Sequence, residues 1–592
     1  MHCRFRDVTP VPASAYTFGF SCSWLQGLLH RVSERRNSVM RKPLAMVKCI
    51  FALLSICVAQ PHQATTARYH EQLQDHFDLE NNSTWPQAYY VNATYWRPGS
   101  NSPIFLCVGG EGPPLDSSVV VHSVHCNLAV EWLREKRALM FALEHRYYGC
   151  HNRSACPVSD LYAPDSLRYL SSRQAVEDIA HFVRAMNVEY KLASRNLWIT
   201  WGGSYPGMLA GWSRLKHPGL IHASIASSAP VSATYDMPQY LDHVAYAYTV
   251  SDEGVGGSLA CRDSIRKGHA WVEGRFQAGD LKAITDKFAL SPESLASQDS
   301  RVAFAASGVA DFPAQENDPL CAEPGCNIAK VCAIMTNQSL GDEVQRLVQL
   351  RKVQNISGFP QTGILQVSRA LGQTSSFRVG LHGIYRQDAE LPDFWFYQTC
   401  KEFGFYQTCA AGGGCMFVRG LANASYYAAG CMKQFNISLE EVQNNIDATN
   451  DHYGGKEPLD DKGKLGSCVM FPNGQVDPWS TQSVLQSPSP DLPVLMVQGA
   501  SHHAWTWPSR PEDQESVLAA RTSIRQQADA FLRRPCKDTL DNGHKHRDLL
   551  WILVCAGAGS IVFALTIICA VRRCRRPQRE GLLASNISLQ NR

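Results

Sequence analysis

Four apolar runs between residues 103 and 231 each stop at a turn, and this constrains the fold more than any other feature of the chain. "PIFLCV" runs into "GGEGPP", "RALMFALEHRYYG" ends at Gly149, "NLWITW" ends in "GGSYPG", and "IHASIASSAPV" closes the group. Between them lie segments with helical spacing. "SSRQAVEDIAHFVRAMN" carries serines able to cap its start, and "PGMLAGWSRLKHP" has Pro206 near its first turn. Strands alternating with helices imply a parallel sheet covered on both faces.

The alternation then stops. Residues 236–450 are helical in pattern, polar and cysteine-bearing. "SCVMFPNGQVDPW" and "LPVLMVQGASHH" resume the strand–loop units, and 510–533 reads as a closing helix. The expected layout is a first core part at 61–235, a helical lid insertion at 236–450 and a second core part at 451–536. A juxtamembrane linker (537–548), a transmembrane helix (549–571) and a basic cytoplasmic tail (572–592) follow.

The ends carry targeting signals. Residues 44–59 are apolar behind Arg41 and Lys42, and Cys57-Val58-Ala59 offers a small-residue cleavage site, so 1–60 reads as an extension plus signal peptide. An uncleaved signal anchor is the alternative, and Met40 competes with Met1 as the start. Residues 549–571 hold no formal charge over a length that crosses a bilayer, and "RRCRRPQR" follows as a cytoplasmic stop. A buried core helix or a removable lipid-anchor signal would fit the apolar run alone, but the basic tail argues against the latter. A single-pass type I protein follows, with its body extracellular or in the endosomal or lysosomal lumen.

Eight N-x-Ser/Thr sequons at Asn81, Asn82, Asn92, Asn152, Asn337, Asn355, Asn423 and Asn436 agree with that placement. The body also holds an even number of cysteines, for which disulfides are the default in an oxidising compartment. Cys321/Cys326/Cys332 and Cys400/Cys409/Cys415 lack close zinc-type pairs, so no metal is expected. A formal charge of +3 gives no push towards nucleic acid.

Chemistry concentrates at "WITWGGSYPGMLAGW". A serine between glycines at a strand–turn–helix junction is a nucleophile elbow. The turn presents the hydroxyl of Ser204 at the sheet edge, and the helix N-terminus behind it suits an anionic intermediate. The pattern G-x-S-x-G is met at Gly202, but Pro206 stands in its last place. An ordinary strand–helix turn is the alternative.

A serine nucleophile needs a base, and the base needs an orienting carboxylate. Asp477 in "NGQVDPW" and His502 or His503 in "QGASHHAW" follow in the order Ser, Asp, His, each after a strand. Alone, they read as a turn aspartate and a pair of surface histidines. "CVGGEGPP" sits where Gly110 or Glu111 would supply a second oxyanion N–H besides that of Tyr205. Glu111 could instead meet a charged substrate end. "EHRYYG" either lines the site or, as the favoured reading, is buried structure in which Glu144 and Arg146 pair.

"GGEGP", "EHRYYG", "LRYLSSRQA", "GGSYPGMLAGW", "SSAPV", "EFGFYQTC" and "NGQVDPWS" together resemble the family of lysosomal and secreted serine exopeptidases that includes prolyl (Pro-Xaa) carboxypeptidase, dipeptidyl peptidase II and thymus-specific serine protease. The resemblance spans about 69–533 and is strongest to the thymus-specific branch. It implies an α/β-hydrolase core with an inserted, mostly helical lid, to which the sequence adds a C-terminal transmembrane helix. It makes Ser204 the nucleophile, Asp477 the orienting acid and His502 the base, with Tyr205 and Gly110 as oxyanion donors. The implied activity is hydrolysis of short peptides next to proline, from either end, through an acyl-enzyme and without a cofactor. Peptides are the expected partners, together with the membrane, and a homodimer is left open. The rival readings are a membrane-anchored esterase or lipase and a catalytically silent hydrolase-like receptor.

Overall fold

The computed structural model describes residues 66–252, 254–359 and 391–536, with the backbone of 377–380 and 383–386. Eight strands form one sheet: β1 (Arg68–Leu73), β2 (Thr84–Asn92), β3 (Ile104–Val108), β4 (Leu139–Leu143), β5 (Trp198–Gly203), β6 (Ala223–Ser227), β7 (Val469–Gly474) and β8 (Val494–Val497). Their order is β1-β2-β4-β3-β5-β6-β7-β8. From β4 to β8 every pairing is parallel.

The sheet is not wholly parallel, which corrects the sequence expectation. β1 pairs antiparallel with β2, and β2 with β4. The physical reason lies in their burial. β1 and the first half of β2 alternate buried and exposed residues, as a strand wetted on one face does. β3 to β7 are buried along their whole length, which requires cover on both faces.

That cover comes from helices on opposite sides. Along β3, Ile104, Leu106 and Val108 pack with α1 (Ser172–Glu189) and α2 (Tyr205–Lys216). The alternate residues Phe105 and Cys107 pack with Trp132 and with α3 (Glu515–Arg533). Helix α1 starts where Ser171 accepts the Gln174 amide, and its buried stripe includes Val176, Ile179, Phe182, Val183 and Met186. Removing the fully buried Phe182 ring would cost about 3–5 kcal/mol.

Among the described residues between β6 and β7 the regular structure is mainly helical, with a buried cluster around Tyr248, Phe288, Phe304 and Phe417. Its last helix, Leu439–Tyr453, returns to the core. There the Tyr453 ring stacks on Trp212 of α2 with centroids 3.7 Å apart. The strand order, mixed sheet and two-sided helical cover define an α/β-hydrolase-like fold.

Among the described residues fourteen cysteines form seven disulfides: 107–126, 150–156, 261–332, 321–326, 400–431, 409–415 and 468–536. The N-terminal extension and signal segment, the 537–548 linker, the 549–571 span and the tail lie outside the described residues. Among the described residues no helix is long and apolar enough to cross a membrane. Of the sequon asparagines, Asn82, Asn152, Asn337, Asn355, Asn423 and Asn436 are exposed and Asn81 is half-buried. Asn92 is buried, and its amide donates to the Val120 carbonyl at 2.8 Å. A glycan there would require that amide to leave the fold.

Candidate active site

β5 runs straight into α2, and Ser204 is the single residue between them. Its φ of 62° and ψ of −132° lie in a region that non-glycine residues avoid. The turn is tight enough that a Cβ on Gly202 would sit 2.2 Å from the Pro206 carbonyl oxygen. Glycine is therefore required there by close approach. Pro206 takes the first turn of α2, where its missing N–H leaves no helical bond unmade. Tyr205 opens the helix, so its N–H has no intrahelical acceptor.

Asp477 follows β7 and is fully buried. Its two oxygens have separate tasks. Oδ1 accepts the Trp479 amide at 2.9 Å, which fixes the carboxylate, and Oδ2 faces His502 Nδ1 at 2.9 Å. His502 is held from behind by its own amide, which donates to the Gln315 carbonyl. Its Nε2 is buried without a hydrogen-bond partner. Such contacts commonly tighten only when substrate is bound.

His503 is placed differently. Its Nδ1 faces Thr506 Oγ1 at 3.0 Å, its amide donates to Ser228 Oγ, and its ring packs against Gly203. Burial holds its imidazole well below the ordinary value, so it stays neutral. Asp477 thus meets the first histidine of the pair.

Ser204, His502 and His503 line a cavity of about 400 Å³ with the 109–115 turn. Gly110 and Glu111 lie on its wall, as do four residues the sequence did not single out: His125, Gln315, Glu316 and Trp507. Gln315 is pinned by Tyr240 and Trp479, both of which donate to its Oε1. Burial lowers His125 to about 4 and raises Glu316 to about 7. His125 and Glu316 carry no periodicity or spacing signal. They reach the site through the 117–126 loop and the helical insertion.

The expected Glu144–Arg146 pair does not form. Arg146 makes a two-pronged contact with Asp178 at 2.7 and 2.6 Å. Glu144 instead accepts the amides of Leu115 and His145 and anchors the far end of the 109–115 turn. A larger cavity, about 1620 Å³, lies between 161–173 and 392–449, and neither Ser204 nor His502 reaches it. Among the described residues no group of His, Cys, Asp and Glu is placed to hold a metal ion.

A strained serine between strand and helix, in one cavity with an Asp-oriented histidine, is the arrangement of a serine hydrolase on an α/β-hydrolase-like core. The sequence pattern of the family described as "Serine carboxypeptidase S28" matches residues 72–524. The chain belongs to that family and is a serine peptidase. Human thymus-specific serine protease is 33% identical over 476 residues, covering 78% of this chain and 86% of that protein. The mouse protein of the same name is 32% identical, covering 78% and 87%. Human lysosomal Pro-X carboxypeptidase is 27% identical, covering 77% of this chain and 86% of its own.

Proposed function

We propose that this serine peptidase is an exopeptidase that hydrolyses short peptides next to proline through an acyl-enzyme. His502 takes the Ser204 proton, and Ser204 Oγ attacks the peptide carbonyl. The resulting oxyanion is held by the N–H groups of Tyr205 and Gly110. His502 then gives its proton to the leaving amine, and water releases the acyl group by the same steps in reverse. Asp477 keeps the Nδ1 proton on His502 and balances the imidazolium as it forms.

The observation that carries this reading is the contact of buried Asp477 with His502, which lines the same cavity as strained Ser204. The cavity volume of about 400 Å³ is of a size to take a short peptide end. The preference for proline rests on similarity to the Pro-X carboxypeptidases. Seven disulfides support an oxidising compartment, so we place the body on the lumenal or outer side, held by 549–571.

The test assays the purified chain between about pH 4 and about pH 8. One peptide set has proline second from the amino end and one has proline second from the carboxyl end. Wild type should cleave at least one set and be labelled by a serine-directed phosphonate, and Ser204→Ala should lose both. Labelling that survives in Ser204→Ala would remove Ser204 from its role. Labelling with ester but no peptide turnover would favour the esterase reading.

A further inference from the structure

An exopeptidase must hold one charged end of its substrate. A free carboxylate end is matched by a cation in the site, and a free amine end by a carboxylate. The charge census of the catalytic cavity is one-sided. Its wall holds Glu111, Asp116 and Glu316, and among the described residues neither lysine nor arginine lines it. The only other titratable side chains on the wall are histidines. Two of them, His125 and His503, are held neutral by burial.

The three carboxylates are not equivalent. Asp116 is occupied as the cap of the 117–120 turn, where it accepts the Ser118 amide at 2.7 Å. Glu111 sits on the oxyanion turn and has contacts of its own. Glu316 follows the pinned Gln315, whose carbonyl accepts the His502 amide, so its backbone lies beside the base. No side-chain donor among the described residues hydrogen-bonds its carboxylate. Burial pushes it up to about 7, opposed by His502 and by its own backbone amide, while Asp477 and Asp311 add to the rise. Glu316 is half-buried on the cavity wall, with no lysine or arginine beside it, and a cationic ligand would supply the charge partner it lacks there.

We infer that Glu316 is the specificity-determining residue that receives the free α-ammonium group of the substrate, so that the enzyme trims peptides from the amino end. This rests on the exopeptidase reading above and deepens it. The ammonium enters the cavity beside His502, and the scissile carbonyl reaches Ser204 on the same wall. A lysine side chain carries the same chemistry and is separated by the test.

Matched short peptides are offered to the purified full chain in three forms: both ends free, amino end acetylated, and carboxyl end amidated. A fourth peptide is acetylated and carries a lysine. Acetylation should lower kcat/KM about 10- to 100-fold, the worth of a charge-assisted contact, while amidation leaves it nearly unchanged. Glu316→Gln should erase the preference for the free amine, and Glu316→Asp should keep part of it. Phosphonate labelling reports in each variant that the nucleophile is still folded. Should a variant fail to fold, the wild-type peptide comparison decides alone. Sensitivity to amidation with indifference to acetylation would overturn the inference, as would an E316Q chain that keeps its full preference. Cleavage of the acetylated lysine peptide as readily as the free one would assign the carboxylate to a side chain instead. A wild-type chain that neither labels nor cleaves any peptide would overturn the exopeptidase reading itself.

Discussion

The ring of Pro206 occupies the space that a side chain on Gly110 would need: a Cβ there would fall 2.3 Å from Pro206 Cγ. The departure from G-x-S-x-G at Pro206 is thus matched by a glycine on a different strand end. The serine turn and the 109–111 turn are packed directly on each other.

Gly110→Ala should therefore push the 109–111 turn away from the helix start. The expected outcome is a folded, disulfide-bonded protein whose kcat falls about 10²- to 10³-fold, the usual loss for one oxyanion donor. Steady-state kinetics beside circular dichroism would check it. An alanine variant with unchanged kcat would show that Gly110 does not supply the donor.

Ser204 is held at a φ of 62°, a conformation that costs a non-glycine residue about 1–3 kcal/mol. Glycine relieves that cost and loses a smaller amount through its freer unfolded chain, about 0.4–1 kcal/mol. Ser204→Gly should thus be inactive yet raise the melting temperature, whereas Ser204→Ala, which keeps the strain, should not. If both variants melt alike, the strain is not stored at this residue.

The two neighbouring histidines should separate cleanly. His502 contacts Asp477, whereas His503 contacts Thr506 and packs on Gly203. Asp477→Asn should keep the fold and lower kcat about 10⁴-fold, because an amide in that place favours the wrong imidazole tautomer. His502→Gln should abolish turnover. His503→Gln removes a buried ring contact and should chiefly lower the melting temperature. Loss of turnover in His503→Gln at full stability would exchange the two roles.

Ser204 is legible because its turn needs glycine, proline and an apolar strand within ten residues, all local in sequence. Asp477 and His502 are legible for the same reason, as turn residues at strand ends. The misjudged parts depend on distance. Arg146 looks to Asp178 across a helix rather than to its near neighbour Glu144, since only the fold brings Asp178 to it. Glu316 reaches the cavity from the insertion, where no repeating pattern marks its direction. The antiparallel β1–β2 pair was within reach of the sequence, for its polar and aromatic alternation is that of a half-wetted strand, but the parallel βα pattern downstream outweighs it.

Glu144 makes the anchoring of the 109–115 turn depend on pH. Its Oε2 accepts the Leu115 amide at 2.6 Å and its Oε1 the His145 amide at 2.8 Å. Burial, the larger influence, nevertheless raises the carboxyl from 4.5 to about 7. The native state thus holds the proton more tightly than the unfolded chain. Below pH 4.5 the group is neutral in both states and its contribution to stability is fully present. That contribution is lost as pH rises through about 7, where the buried carboxylate is ionised. Buried histidines such as His145, lowered to about 4, act in the opposite sense between 6.5 and 4, so the wild-type curve alone is a sum of both. The difference between wild type and Glu144→Gln isolates the carboxyl. Glutamine lacks the second acceptor and should cost about 1–3 kcal/mol at low pH. The stability advantage of wild type should then shrink steadily from about pH 4.5 to about pH 7 in melting curves. Parallel curves for the two proteins across that window would show that Glu144 does not titrate there.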